Sequence, residues 1–177
     1  MNTSESEPTV APLAAHRLSM AVLMSPDMAN FSGNVHGGAI LKLLDQAAYA
    51  CAARYAGRYV VTLSVDQVTF LQPIHVGELV TLLASVNYTG RSSMEIGIKV
   101  ITENIREQVV RHANSCFFTM VAVGDDGKPA AVAPLEPMTP DQKRRCRASA
   151  KRAFNSRRNS RRELNARFAE ARQVGDS

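Results

Sequence analysis

The segment Asn30-Phe-Ser-Gly-Asn-Val-His-Gly-Gly38 brings side-chain amides and a glycine pair directly ahead of an apolar, Ala-rich stretch. Gly37 and Gly38 leave the N–H groups of the first helical turn accessible, and such a helix N-terminus can hold an oxyanion. Asp45 follows two turns later among apolar residues, too deep in the helix to cap it. A carboxylate, amides and free N–H groups are the groups needed to attack a carbonyl group with water.

Each of these residues also has a purely structural interpretation. Asp45 is then a buried carboxylate satisfied by a hydroxyl or by the chain before the helix. His36 then only hydrogen-bonds the loop, and Asn34 only caps the helix. The sequence contains neither a Gly-x-Ser-x-Gly motif nor ligands at metal-binding spacing. It therefore disfavours a serine hydrolase and predicts that no metal and no cofactor is required.

The spacing along the helix adds a geometric constraint. Gly38, Lys42 and Asp45 lie on one face, and the helical rise from the first to the last is about 10 Å. This distance is too large for the N-terminal N–H groups and the carboxylate of the same helix to act on a single reacting carbon. If the two act together, one set comes from a second copy of the chain, which predicts a composite site across a dimer.

The elements that must position these groups follow from hydrophobic periodicity. The stretch from Ala39 to about Ala56 is apolar on nearly every side, so we expect a buried helix that ends at Gly57. One apolar helix and an antiparallel sheet predict an α+β fold in which a curved sheet wraps the helix. Strands are expected at 18–24, at 61–70 with Val61, Leu63 and Val65 on the buried side and a bulge near Gln67, at 80–88 and 94–100 joined by a tight turn, and at 108–123.

The totals indicate a single soluble domain. The chain has 177 residues, of which 45% are hydrophobic, and a mean hydropathy of −0.13. No signal peptide or membrane span is expected, and three cysteines without metal-like spacing indicate a reducing, cytoplasmic location. The predicted organisation is a disordered leader at 1–12, a folded domain at 13–128, a Pro-rich linker at 129–140 and an Arg-rich helical tail at 141–177.

The net charge of +5 is concentrated in that tail. Residues 141–177 hold twelve of the 21 basic and four of the 16 acidic residues, so the rest of the chain is acidic overall. The folded body is therefore not a basic nucleic-acid-binding domain, and no nucleic-acid partner is expected. We expect the tail to be a solvated or partly disordered helix. The alternatives are that it binds nucleic acid, covers a neighbouring subunit or attracts anionic molecules.

Four segments in order resemble the hotdog-fold acyl-CoA thioesterases of the cytosolic acyl-CoA hydrolase type, over roughly residues 18–123. The resemblance implies an enzyme of fatty acid metabolism that hydrolyses fatty acyl-CoA to free fatty acid and CoA. It also implies a dimer of joined sheets, assembled as a trimer of dimers. The segments run from Pro26 to Asp45, from Val61 to Phe70, from Pro73 to Gly77 and from Tyr88 to Ser93.

The same resemblance implies roles for individual residues. Asp45 and Asn30 of the facing subunit match the family's catalytic pair, with Asp45 as general base or nucleophile and Asn30 orienting the water or carbonyl. The N–H groups of Gly37 and Gly38 would stabilise the oxyanion. Expected contacts with the substrate and its CoA moiety are Asn34, His36, Gly57, Arg58, Val68, Thr69, Phe70, Arg91, Ser92 and Ser93.

These contacts divide by chemistry. Arg91 in its Gly-Arg-Ser-Ser turn offers a cation and hydroxyl or N–H donors for CoA phosphates, although a solvent-exposed turn residue is an equal alternative. Residues 57–58 are second candidates for the phosphates, and residues 68–70 for the pantetheine path. Two rival functions stay open: a hotdog enoyl-CoA hydratase with an Asp–His dyad, and a non-catalytic acyl-CoA sensor or binding module whose basic tail contacts nucleic acid.

Overall fold

The computed structural model of the protein describes residues 14–66 and 68–156. The long helix α1, Gly37–Ala56, is rich in alanine, the residue of highest helix propensity. It ends at Gly57, whose φ of +64° supplies the left-handed conformation that closes a helix. A short 3-10 turn, Pro26–Met28, precedes it. The helix predicted from the glycine pair and the apolar run is therefore confirmed.

Five strands form one antiparallel sheet in the order β1-β3-β4-β5-β2. The hairpin predicted around the Thr-Gly-Arg turn is confirmed, and so are the first strand and the last long strand. The predicted α+β fold, with a curved sheet around one long helix, is confirmed as well. The strands are β1, Arg17–Leu23; β2, Val60–Val65; β3, Leu79–Thr89; β4, Ser93–Asn104; and β5, Val109–Ala122.

The main core lies between α1 and the inner face of the sheet, which is the side that includes Leu82, Ile96 and Phe118. Apolar residues at a spacing of three or four on one side of α1 fill this space. These residues are Ile40, Leu43, Leu44, Ala47, Ala48, Cys51 and Ala52.

The prediction that α1 is buried on every side was wrong for the single chain. Leu41 is 41% exposed, Tyr49 is 42% exposed, and Asp45 between them is exposed too. The sheet wraps only one side of the helix, so the opposite side has no cover within the chain. Apolar residues on that side indicate a surface that another chain covers.

Strand β2 also differs from its prediction. Val61, Leu63 and Val65 are exposed rather than buried, because β2 is an edge strand that pairs with β5 alone among the described strands. The strand ends at Val65, and its register irregularity lies between residues 62 and 64. Gln67, where the bulge was expected, lies outside the described residues.

The Pro-rich segment after β5 is packed against the domain rather than free. The N–H of Val132 donates to the carbonyl of Arg91 at 3.0 Å, and the N–H of Leu135 donates to Oγ1 of Thr89 at 2.9 Å. The hydroxyl of Tyr55 on α1 donates to the carbonyl of Ala133 at 3.1 Å. This segment therefore carries the chain across the sheet to its second face.

The C-terminal helix, described over residues 140–156, covers the outer face of the sheet, the side that carries Ser85 and Phe117. Ser149 is fully buried, and the Arg152 guanidinium pairs with the Glu95 carboxylate and lies 3.7 Å above the ring centre of Phe117. The expectation of a solvated helix is therefore wrong for this part, because buried polar groups on β4 require partners. The rest of the tail and the predicted leader lie outside the described residues.

Within the described part of the chain, no helix combines the length and hydropathy needed to cross a membrane.

Candidate active site

The loop before α1 is held in one conformation by its own polar groups. Oδ1 of Asn30 accepts the N–H of Ser32 at 2.9 Å and the N–H of Asn34 at 3.1 Å. The N–H of Asn30 donates to the carbonyl of Asn34 at 2.6 Å, and Gly33 has a φ of +77° that favours glycine. The carboxamide oxygen of Asn30 thus already accepts two hydrogen bonds from the loop. The NH2 group of the same side chain makes no hydrogen bond with the described residues. That donor is available to a substrate carbonyl.

The loop is also tied to the rest of the domain. The N–H of Val35 donates to the carbonyl of Ile74 at 2.8 Å, and the N–H of His36 donates to the carbonyl of Met28 at 2.7 Å. Two backbone segments therefore fix the position at which α1 begins.

An ion pair with a buried carboxylate supports the same loop. The Glu78 carboxylate, 3% exposed, pairs with Arg111 and accepts the N–H of His75 at 3.0 Å. His75 in turn forms a β-bridge with Asn34. Burying a carboxylate is costly unless it is paired and hydrogen-bonded, and here both conditions are met. Sequence analysis missed this support, because Glu78 and Arg111 are far apart in the chain.

At the start of α1, the two glycines have different roles. The N–H of Gly38 donates to Nδ1 of His36 at 2.9 Å, so His36 is the N-cap and Gly38 is not a free donor. The N–H of Gly37 has no partner among the described residues and is free for an oxyanion. Of the two N–H groups expected to be free, that of Gly37 is free and that of Gly38 is not. The residue that caps the helix is His36, not Asn34. The Phe70 ring lies beside this turn, 3.7 Å from where a Cβ on Gly37 would stand.

Asp45 lies on the exposed side of α1, hydrogen-bonded to the edge strand. Its Oδ1 accepts the hydroxyl of Thr62 at 2.7 Å, which fixes the orientation of the carboxylate. Sequence analysis did not single out Thr62. The sequence offers no specific signal for it, because Ser64 is a second hydroxyl residue in the same strand.

A single chain does not bring the predicted catalytic groups together. Gly37 and Asp45 are eight positions apart on α1, about 12 Å along the axis, and no contact joins Asp45 to Asn30. Leu41 and Tyr49 flank Asp45 one helical turn on either side and leave it facing outward. The geometry therefore agrees with a site completed by a second chain.

The predicted CoA-phosphate contacts lie at the far end of α1. The carbonyl of Ser92 accepts the N–H of Ala122 at 2.9 Å, and the carbonyl of Tyr59 accepts the N–H of Val123 at 3.0 Å. The turn 91–93 and the segment 57–58 thus flank the end of β5. Arg91 and Arg58 are exposed and form no ion pair within the described ranges. The candidates 68–70 follow β2 instead. Of these, Phe70 lies beside the beginning of α1, and the two ends of this helix are about 30 Å apart.

The two buried cysteines, Cys51 and Cys116, are poor candidates for a nucleophile. Burial raises the pKa of the Cys51 thiol to about 11 and that of Cys116 to about 12. Both thiols therefore stay protonated near neutral pH, and a thiol is a weak nucleophile compared with a thiolate.

Comparison with known proteins identifies the family. The profile of the thioesterase superfamily matches residues 32–109. The protein VdlD of Helicobacter pylori is 50% identical over 77% of this chain and 78% of its own. An uncharacterized acyl-CoA thioester hydrolase of Zymomonas mobilis is 36% identical over 75% of this chain and 87% of its own. The chain belongs to the thioesterase superfamily.

Solved structures of this superfamily share the fold. A hexameric acyl-CoA thioesterase in its apo form superposes with a TM-score of 0.78 and 33% identity, over 81% of this chain and 92% of that one. The acyl-CoA hydrolase of Staphylococcus aureus, in complex with butyryl coenzyme A, coenzyme A and coenzyme A disulfide, superposes with a TM-score of 0.76 and 29% identity, over 87% and 93%. The predicted hotdog fold is confirmed, and the chain is a thioester hydrolase of this superfamily.

Three further structures of the Staphylococcus aureus hydrolase carry alanine in place of one aspartate, one asparagine and one threonine. Along that chain the asparagine precedes the aspartate by fifteen residues, and the threonine follows the aspartate by seventeen. Asn30, Asp45 and Thr62 have the same order and the same spacing here.

Proposed function

We propose that this thioesterase hydrolyses fatty acyl-CoA to a free acid and CoA at a site formed by two copies of the chain. One copy contributes Asp45 and Thr62, and the facing copy contributes Asn30 and the N–H of Gly37. The observation that carries the proposal is the exposed Asp45 carboxylate, which is oriented by Thr62 at 2.7 Å on a face without cover in the single chain. The names of its relatives support acyl-CoA as the substrate class.

In the proposed reaction, Asp45 accepts a proton from a water molecule as the water oxygen attacks the thioester carbonyl carbon. The carbonyl oxygen becomes an oxyanion that the N–H of Gly37 and the Asn30 amide stabilise, at about 3 kcal/mol for each preorganised donor. The C–S bond then breaks, and the leaving CoA sulfur takes up the proton from Asp45. Direct attack by the Asp45 carboxylate, through a mixed anhydride, is the alternative order of events.

Assembly follows from the same surface. β2 is an edge strand beside Asp45, and an unpaired edge can join the equivalent edge of a second copy into one continuous sheet. We propose that this contact forms the dimer and that three dimers form the full assembly. The hexameric form of two solved relatives supports this assembly.

The experiment that tests the proposal is thiol release from acyl-CoAs of increasing chain length, by wild type and by Asp45→Ala and Asn30→Ala. We expect each variant to stay folded and associated and to lose at least a hundredfold in kcat, about 2.7 kcal/mol. Gln46→Ala is the matched control, because Gln46 is exposed on the same helix next to Asp45. An Asp45→Ala enzyme as active as the control would contradict the mechanism.

A further inference from the structure

Phe31 has an arrangement that the fold of its own chain does not explain. Its side chain is fully exposed, although a phenylalanine ring carries a large apolar surface that favours burial. Most exposed apolar residues need no explanation. Phe31 differs because it follows Asn30 directly in a loop whose conformation is fixed.

That loop holds Phe31 outward rather than letting it fold back. Four hydrogen bonds within residues 30–34 define the turn, and the bonds from Val35 and His36 fix its ends. The adjacent Cα atoms of Asn30 and Phe31 are about 3.8 Å apart. Wherever the assembly places the Asn30 amide, the Phe31 ring goes with it.

The surface that would receive this loop carries exposed apolar side chains beside the charged groups of Asp45 and Lys42. On the facing copy, Leu41 and Tyr49 flank Asp45 on α1, and the ring centre of Tyr59 lies 6.3 Å from that of Tyr49 in an edge-to-face arrangement. These three side chains are 41%, 42% and 60% exposed. An aromatic ring brought to such a surface removes apolar area from water on both chains.

We infer that Phe31 is a substrate-binding residue supplied in trans: its ring packs on the facing chain beside Asp45 and covers the acyl–pantetheine segment next to the thioester. The inference rests on the proposed composite site and assigns it a residue beyond the catalytic pair. The ring contacts the substrate on both sides of the reacting carbon but touches no reacting atom. It therefore contributes to binding in the ground state and the transition state alike.

The first measurement compares steady-state hydrolysis of saturated acyl-CoAs, from butyryl-CoA upward, by wild type, Phe31→Ala and Phe31→Leu. For Phe31→Ala we expect KM to rise about tenfold with kcat nearly unchanged, because a lost apolar contact of this kind weakens binding by that order. Phe31→Leu keeps apolar volume and should recover most of the affinity. A Phe31→Ala enzyme that associates more weakly but has wild-type KM would make Phe31 a dimer contact only and overturn the inference.

Mixed assemblies show from which copy the ring comes. Co-expression of differently tagged Asp45→Ala and Asn30→Ala chains gives mixed dimers in which one composite site has lost both groups and the other has lost neither. Activity should return in these dimers and only there. Phe31→Ala is then added either to the Asp45→Ala chain, which supplies the working Asn30, or to the Asn30→Ala chain as a matched control. The inference predicts a raised KM in the first case and an unchanged KM in the second.

The outcomes separate the inference from the function on which it rests. Failure of the mixed assembly to regain activity would overturn the composite site itself. Regained activity with a KM that does not depend on which chain carries Phe31→Ala would leave the composite site standing. It would also show that Phe31 is not supplied with Asn30, which contradicts the inference.

Discussion

The two sides of helix α1 differ in whether their packing is complete within one chain. The side toward the sheet carries Ile40, Leu44 and Ala48, all buried, and its packing is complete within one chain. The side that carries Leu41, Asp45 and Tyr49 is apolar at both ends and exposed. One side therefore stabilises the fold of the chain, while the other is the proposed surface for a second chain and for catalysis.

This difference shows that apolar residues on a helix do not distinguish a core from an interface. In the proposed assembly both sides are removed from water, and the same hydrophobic effect selects the same residue types for each. The outward side differs from the inward side because it carries the Asp45 carboxylate. Burying this charge in a core would cost free energy, whereas the proposed site between two chains uses it as a catalytic group.

The largest expected effect is on stability, from the inward side. Leu44→Ala should lower the free energy of unfolding by about 2–5 kcal/mol, because it leaves a cavity at a fully buried position. Leu41→Ala, its counterpart on the outward side, should change the unfolding of the dissociated chain by less than about 0.5 kcal/mol. Urea unfolding followed by far-ultraviolet circular dichroism measures both. Equal losses would mean that the two sides do not differ in the way described here.

A smaller effect is expected on catalysis, from the outward side. Thr62→Val removes the hydroxyl that orients Asp45 and should lower kcat about tenfold, the effect of one hydrogen bond to a charged group. Thermal unfolding should change little, because Thr62 is exposed. Thr62→Ser keeps the hydroxyl and is the control that should retain activity. If Thr62→Val kept wild-type kcat, Asp45 would not depend on this contact for its orientation.

The smallest effect lies on the outer face of the sheet, which the C-terminal helix covers within the same chain. Burial, together with the nearby Glu95 carboxylate, raises the pKa of Asp66, although Arg152 opposes the shift. The folded protein therefore holds this proton more tightly than the unfolded chain. Protonated Asp66 therefore contributes stability that is fully present below pH 3.8, the ordinary pKa of this carboxyl group. That contribution is lost as the pH rises through the higher pKa that Asp66 has in the folded protein.

Asp66→Asn should consequently raise the melting temperature slightly at neutral pH, and the gain should disappear below pH 3.8. Its kcat should be unchanged, because Asp66 lies beside Glu95 and Arg152 on the side of the sheet that the C-terminal helix covers. Melting curves across the pH range and a thiol-release assay check both parts. A loss of activity without a change in stability would place Asp66 in the site instead.

Local patterns were sufficient to predict most of the fold. The β3–β4 hairpin has strict alternation around a Gly-containing turn, and α1 has a glycine at each end, so local preference and tertiary packing agree there. The assignment of Val61, Leu63 and Val65 to the core was wrong because alternation shows neither that a strand lies at a sheet edge nor that its register shifts, as that of β2 does between residues 62 and 64. In the proposed assembly, a second chain covers these apolar residues instead.

The sequence suggested the residues of the proposed site but not the contacts that support them. Asn30, Gly37 and Asp45 were predicted from the chemistry that their side chains and N–H groups offer, and their roles stay a prediction. Thr62 and the Glu78–Arg111 pair were missed because their roles depend on contacts between residues 17 and 33 positions apart in the chain. The role of His36 as the helix cap was left open, since spacing alone does not show which ring nitrogen meets which N–H.

The central claim is that one chain alone does not complete the active site, and activity per chain at different degrees of association tests it most directly. Leu63→Lys places a charge on edge strand β2 at a position that is 67% exposed, and it should raise the dimer dissociation constant at least a hundredfold, about 2.7 kcal/mol. Leu23→Lys is the matched control on the other edge strand, β1, at a position 57% exposed.

Sedimentation velocity gives the associated fraction of each variant, and thiol release gives its rate per chain at the same concentrations. We predict that the Leu63→Lys rate falls in proportion to the associated fraction, while Leu23→Lys stays associated and active. Full activity of dissociated but folded Leu63→Lys chains would contradict the account.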